Sequence, residues 1–102
     1  MANCEMVRQI ALSMPNVNER PSYGTPAFFV KRKLFARLLE DDDSVVVKID
    51  DYDRERRMNA DPKTFFITEH YQNYPMMIVR LSGVDDTDLR DLLADAWEQS
   101  VS

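Results

Sequence analysis

Cysteine, histidine and glycine are all scarce in this chain, and each scarcity closes off a class of function. Cys4 is the only cysteine among 102 residues, so no intramolecular disulfide can form, which fits a reducing compartment. With a single histidine, His70, every imidazole-based acid–base or metal scheme must run through one residue. A zinc site needs more ligands than His70 and the distant Cys4 provide, so no metal and no cofactor is expected. Only Gly24 and Gly83 offer points of free backbone flexibility, and no linker, repeat or low-complexity tract interrupts the chain. Long apolar runs are missing too. None approaches the roughly 18 residues of a membrane span, and Met1 to Glu5 do not build a signal peptide, so a cytoplasmic protein with no membrane partner is expected.

What remains reads as ordinary globular protein, with 44% hydrophobic and 30% charged residues. The length suits a single domain over 1–102. A chain of this size buries about 65% of its unfolded surface, enough to fold without disulfides or metal. Five Phe, four Tyr and Trp97 supply ample aromatic bulk for the interior.

The net charge of −5 by itself disfavours nucleic acid as a partner, but the charge is segregated along the chain. Residues 1–39 carry six bases (Arg8, Arg20, Lys31, Arg32, Lys33, Arg37) against Glu5 and Glu19. Residues 40–61 carry nine acids against four bases, and residues 81–102 are again net acidic. Whether the cations form a patch therefore depends on the fold.

Local patterns place three helices. Met6, Val7, Ile10, Ala11 and Met14 fall at helical spacing over 4–14, with Asn3 as N-cap and Pro15 beyond the end. Asp50 or Asp51 can cap a second helix to about Asn59, whose apolar stripe is poor, and Asp61-Pro62 ends it. The last helix has Asp85 as cap, Asp88 in its first turn and Val84 placed to staple onto Leu89. Its apolar face runs through Leu89, Leu92, Leu93, Ala96 and Trp97. Asn16 to Pro26 reads as loop, punctuated by Pro21, Gly24 and Pro26. Strands are expected at Ala27–Val30, Leu34–Leu39 and Val45–Ile49, joined by the basic turn Lys31-Arg32-Lys33 and the acidic turn Glu40 to Asp43. Two more fall at Thr64–Thr68 and Met76–Leu81, linked by a segment holding His70, Tyr71 and Tyr74.

The order α-β-β-β-α-β-β-α predicts an α+β domain: a five-stranded antiparallel sheet with helices mainly on one face and the other face open. Strand alternation predicts that open face. With Val45, Val47 and Ile49 toward the helices, Val46 and Lys48 point away. By the same period Arg80 points outward opposite to Val79, and Arg37 and Phe35 point outward opposite to Leu38.

Several runs then resemble the MmcQ/YjbR-like proteins. They are Tyr23-Gly24-Thr25-Pro26-Ala27-Phe28 with Val30, Lys33, Phe35-Ala36 and Val47-Lys48-Ile49-Asp50. Further on, Asp61-Pro62, Phe65-Phe66, Thr68, His70-Tyr71, Tyr74-Pro75 and Val79-Arg80-Leu81 continue it, closing with Leu89, Leu92-Leu93 and Ala96-Trp97. The match covers about Ala11 to Trp97. The resemblance implies an α-β3-α-β2-α domain, mostly bacterial, that binds DNA through a paired-wing arrangement of hairpins. One departure stands out: the family often has glycine in the first hairpin turn, where this chain has Arg32. A tight turn with positive φ disfavours arginine, so a longer or differently shaped turn is expected here.

Three candidate sites follow. Lys31, Arg32 and Lys33 with Arg37 read as a solvated turn kept soluble by charge, or as forked and flexible cations on a hairpin suited to phosphates of double-stranded DNA. Lys48 and Arg80 with Phe29 and Phe35 make a sheet face that suits stacked bases, a protein partner or a second copy of the chain. His70, Tyr71 and Tyr74 either order their loop by hydrogen bonding or line a small-anion pocket with Lys48 or Arg80. Glu40 to Asp43 lacks the ligand spacing of an EF-hand and reads as a solvated turn. No nucleophile elbow precedes a helix, so a non-enzymatic binding domain is expected, with the acidic last helix facing away from any duplex.

Overall fold

The computed structural model describes residues 2–101; Met1 and Ser102, which the single-domain reading of 1–102 includes, lie outside the described residues. In chain order the elements are α1 (Cys4–Ser13), β1 (Val17–Ser22), β2 (Thr25–Val30), β3 (Lys33–Leu38), β4 (Ser44–Lys48), α2 (Asp51–Ala60), β5 (Phe65–Phe66), a 3₁₀ turn (Glu69–Tyr71), β6 (Met76–Arg80) and α3 (Asp86–Val101). The caps fall where the side chains dictate. Asn3 Oδ1 accepts from Met6 N at 2.9 Å, Asp50 Oδ1 from Asp53 N at 2.8 Å and Asp85 Oδ1 from Asp88 N at 2.7 Å.

The strands form one antiparallel sheet in the order β1-β2-β3-β4-β6-β5. It has six strands, one more than expected, because Val17–Ser22 is a strand rather than loop. Nothing local favours that: the segment holds one large apolar residue and a proline. Pairing with β2 creates it, and Pro21 stands opposite Pro26 at this outer edge. Helices α1 and α3 pack on the sheet and on each other, while α2 leans on β5. The α2 stripe is as poor as its sequence suggests, since none of its residues is buried.

Between the helices and the sheet lies the core, with Val7, Phe28, Phe35, Val45, Val47, Met77, Val79, Leu89 and Leu93 fully enclosed. Phe35 corrects an expectation, because it points inward and not outward. Phe28 pairs with Ala36 but Phe29 pairs with Leu34, so Phe35 is the extra residue of a β-bulge. A bulge breaks the period of two, and Phe35 and Ala36 both join the core while Leu34 and Arg37 face the other way. Arg37 outward, by contrast, follows the expected alternation.

The turn between β2 and β3 is also a correction. It stays a two-residue turn closed by Val30 opposite Lys33, with Lys31 at φ 50° and Arg32 at φ 68°. Both side chains tolerate a left-handed backbone at a cost of about 1 kcal/mol each, so here the strand register overrides residue preference. The β1–β2 turn has the same form, with Tyr23 at φ 54° and Gly24 at φ 83°.

Candidate functional site

The second face of the sheet is less open than alternation suggests. Ala27, Val46 and Ile78 lie outside the main core yet are 0%, 1% and 2% exposed. They sit in one row across the strands, Ala27 opposite Arg37, Arg37 opposite Val46, and Val46 opposite Ile78. Long side chains roof this row. Arg20 stacks on Phe29 at 4.1 Å, Arg37 lies 5.4 Å from the Tyr23 ring, and Arg80 lies 5.0 Å from the Phe66 ring.

Within this face runs a trough of about 770 Å³. Leu34, Val46 and Met76 supply its apolar surface; Ser22, Tyr23, Arg37 and Glu40 border one end, and Lys48, His70, Tyr71, Tyr74 and Pro75 border the other. Two of the large side chains that remain exposed, Tyr23 and Tyr74, stand here. The His70 ring meets Tyr71 edge-on at 4.8 Å and Tyr74 at 6.0 Å. The ligand-pocket candidates His70, Tyr71 and Tyr74 are thus brought together with Lys48 and Arg37.

Arg54 fixes the wall that carries the two tyrosines, a role that nothing in the local residue pattern signals. From α2, its guanidinium donates to the carbonyls of Tyr71, Tyr74, Met76 and Gln72 at 3.3, 2.7, 3.1 and 3.4 Å. An arginine in a charged helix reads as solvated, and only the fold reveals the row of carbonyls at its end.

The basic hairpin does not join this assembly. Lys31 Nζ donates to the Val101 carbonyl at 3.1 Å, a cation held at the negative end of α3, on the helix side. Arg32 is exposed at the tip and Lys33 opens β3 opposite Val30. Arg37, grouped with them in sequence, lies at the other end of β3: Nε donates to the Ser22 carbonyl at 3.1 Å and Nη2 faces Glu40 at 3.7 Å. Arg80 is exposed and donates Nε to the Lys63 carbonyl at 3.3 Å.

The acidic turn reaches the cationic face. Glu40 borders the trough, and Asp41 sits within the field of Arg80. The Asp43 backbone N–H, at 2.9 Å, is the main reason the Asp41 carboxyl titrates below its usual range; the Ser44 hydroxyl at 2.8 Å assists. Burial, reinforced by Asp42, Asp41 and Asp43, raises the Cys4 thiol, which keeps it protonated and a poor nucleophile. Among the described residues, no group of three or more His, Cys, Asp or Glu could hold a metal ion. No described helix is long and apolar enough to cross a membrane.

An antiparallel sheet packed by helices on one side and carrying an arginine- and tyrosine-walled trough on the other defines an α+β domain. Residues 12–99 match the YjbR family model, and the chain belongs to the YjbR family. Similar proteins include the uncharacterized proteins Rv2570 of Mycobacterium tuberculosis and Mb2600 of Mycobacterium bovis, each 36% identical over 56 residues. That stretch is 54% of this chain and 43% of each relative, so it spans less than half of their length. The crystal structure of Deinococcus radiodurans protein DR2400, with a DUF419 domain, shares the fold with a TM-score of 0.83 at 22% identity, over 95% of this chain and 77% of that one.

Proposed function

We propose that this chain is a non-enzymatic binding domain whose trough takes a small anionic ligand with a flat, apolar body. The supporting observation is convergence: Arg37, Lys48 and the His70, Tyr71 and Tyr74 group, from three separate segments, border one apolar-floored concavity. Its volume lies within the range of ordinary ligand pockets, and its cations outnumber its one carboxylate, Glu40. Titration of ¹⁵N-labelled protein with benzoate and with inorganic phosphate tests this. Shifts should concentrate at Val46, Lys48, Tyr71 and Met76; an unmoved spectrum at millimolar probe would end the reading. The domain is assigned to the bacterial cytoplasm, in keeping with its single cysteine.

A second reading, double-stranded DNA, follows the family resemblance. Its support is that Arg20 and Arg80 flank the trough on the same sheet face. Lys31, held at the end of α3, and Glu40, beside Arg37, weigh against a single phosphate-binding patch. Affinity for duplex should fall with salt by a log–log slope of about −0.9 per phosphate contacted. Binding insensitive to salt, or absent at low salt, counts against it. A homodimer or protein partner seated on the same face would occlude the trough, and light scattering across a concentration series detects the homodimer.

A further inference from the structure

The charges in the trough are not equivalent. Arg37 is committed: 11% of its side chain is exposed, Nε is bonded to the Ser22 carbonyl and Nη2 faces Glu40. Lys48 is half-buried, and among the described residues no carboxylate lies within ion-pair distance of it. Glu40 is 71% exposed, so its carboxylate keeps lone pairs available to a ligand donor. Arg37 stands opposite Val46 on the neighbouring strand and Lys48 lies two residues further along. One strand spacing and two residue rises separate the backbones of Arg37 and Lys48 by about 8 Å. An uncompensated cation therefore marks one end, with Met76 opposite it, and a carboxylate the other, with Val46 between.

We propose that the trough selects a bipolar ligand, with an anionic group at Lys48 and a cationic or N–H donor group at Glu40, joined by a flat apolar body. This rests on the small-anionic-ligand reading and adds the ligand's polarity to it. Glu40 is the specificity-determining residue. Arg37 is a positioning residue that aims Glu40 and is not itself the anion's partner. Tyr23, beside Arg37, and Tyr74, beside Pro75, are 89% and 55% exposed and stand at opposite ends, where they can close on the body of the ligand.

Three probes of one shape separate the terms: benzoate, benzylamine and 4-(aminomethyl)benzoate, titrated into the full chain and followed by ¹⁵N shifts. The bipolar probe should bind about fivefold tighter than benzoate, the yield of one solvent-exposed ion pair. Glu40→Gln should abolish that preference, so that the bipolar probe binds no tighter than benzoate, while Glu40→Asp keeps part of it. Lys48→Met should weaken both carboxylates; Lys48→Gln gives the same reading if the methionine variant melts early. The proposal is overturned if the bipolar probe binds no tighter than benzoate. It is equally overturned if Glu40→Gln keeps the preference for the bipolar probe, because Glu40 is then not the partner of its cationic group. In both cases the anionic-ligand reading survives. If none of the three probes moves a trough resonance, both readings fall.

Discussion

The two faces of the sheet bury similar apolar rows but cover them with different chemistry. On one, Phe28, Val45, Val47 and Val79 lie under α1 and α3, and the cover is itself apolar: Val7, Ile10, Leu89, Leu93. On the other, Ala27, Val46 and Ile78 lie under arginine and tyrosine side chains that keep polar tips in water. A helix cover excludes water and holds the fold. The side-chain cover stabilises less, and it can rearrange without unfolding the domain.

That contrast can be broken first on the helix side. Leu93 is fully buried, so Leu93→Ala should cost about 3 kcal/mol in urea unfolding. A loss below 1 kcal/mol would mean that α3 is not the main cover. On the trough side, Arg54→Met should cost about 2 kcal/mol, because it removes the donor shared by the Tyr71, Gln72, Tyr74 and Met76 carbonyls. Hydrogen exchange should accelerate over residues 67–76 and stay slow in α3. Uniform acceleration would show that the faces do not behave independently.

Smaller effects sharpen the comparison. Arg32→Gly should stabilise by roughly 0.5–1 kcal/mol, since glycine adopts the positive φ without penalty but loosens the unfolded chain. No change in melting temperature would show that the turn has relaxed. Smallest is Asp95 on α3, whose carboxyl is raised by burial and then by Asp53, Glu98 and Asp91. A folded-state value above the unfolded one gives stability that is present at low pH and lost as pH rises through the folded pKa. Asp95→Asn should therefore gain about 0.5 kcal/mol at pH 7 and nothing below the ordinary aspartate range. Equal gains at both pH values would point to helix propensity instead.

Legibility in the sequence followed how local each cause is. Asp85, Asp50 and Asn3 were legible as caps because a cap needs only its own turn. The outward direction of Lys48 and Arg37 followed from alternation alone. Strand β1 was not legible, since its only support is pairing with β2. The bulge at Phe35 was hidden because an apolar pair, Phe35-Ala36, looks the same with or without an inserted residue. Of the site, the His70, Tyr71 and Tyr74 group was visible as a cluster within one segment. A pocket joining it to Lys48 was one alternative legible in the sequence; the addition of Arg37 needed the sheet, and the grip of Arg54 on four carbonyls needed the fold.

The facing prolines of the outermost hairpin carry a last consequence. The margin of a sheet is where a stray extended segment can add itself, one chain after another, into a growing filament. Proline brings no amide hydrogen to such a ladder, and Pro21 on β1 is backed by Pro26 on β2. A recruit aligning along this rim meets a gap in the donor row near the end of β1, and Glu19 and Arg20 just before it add charge. The molecule is thereby guarded against accretion at the very strand its own sequence specifies least.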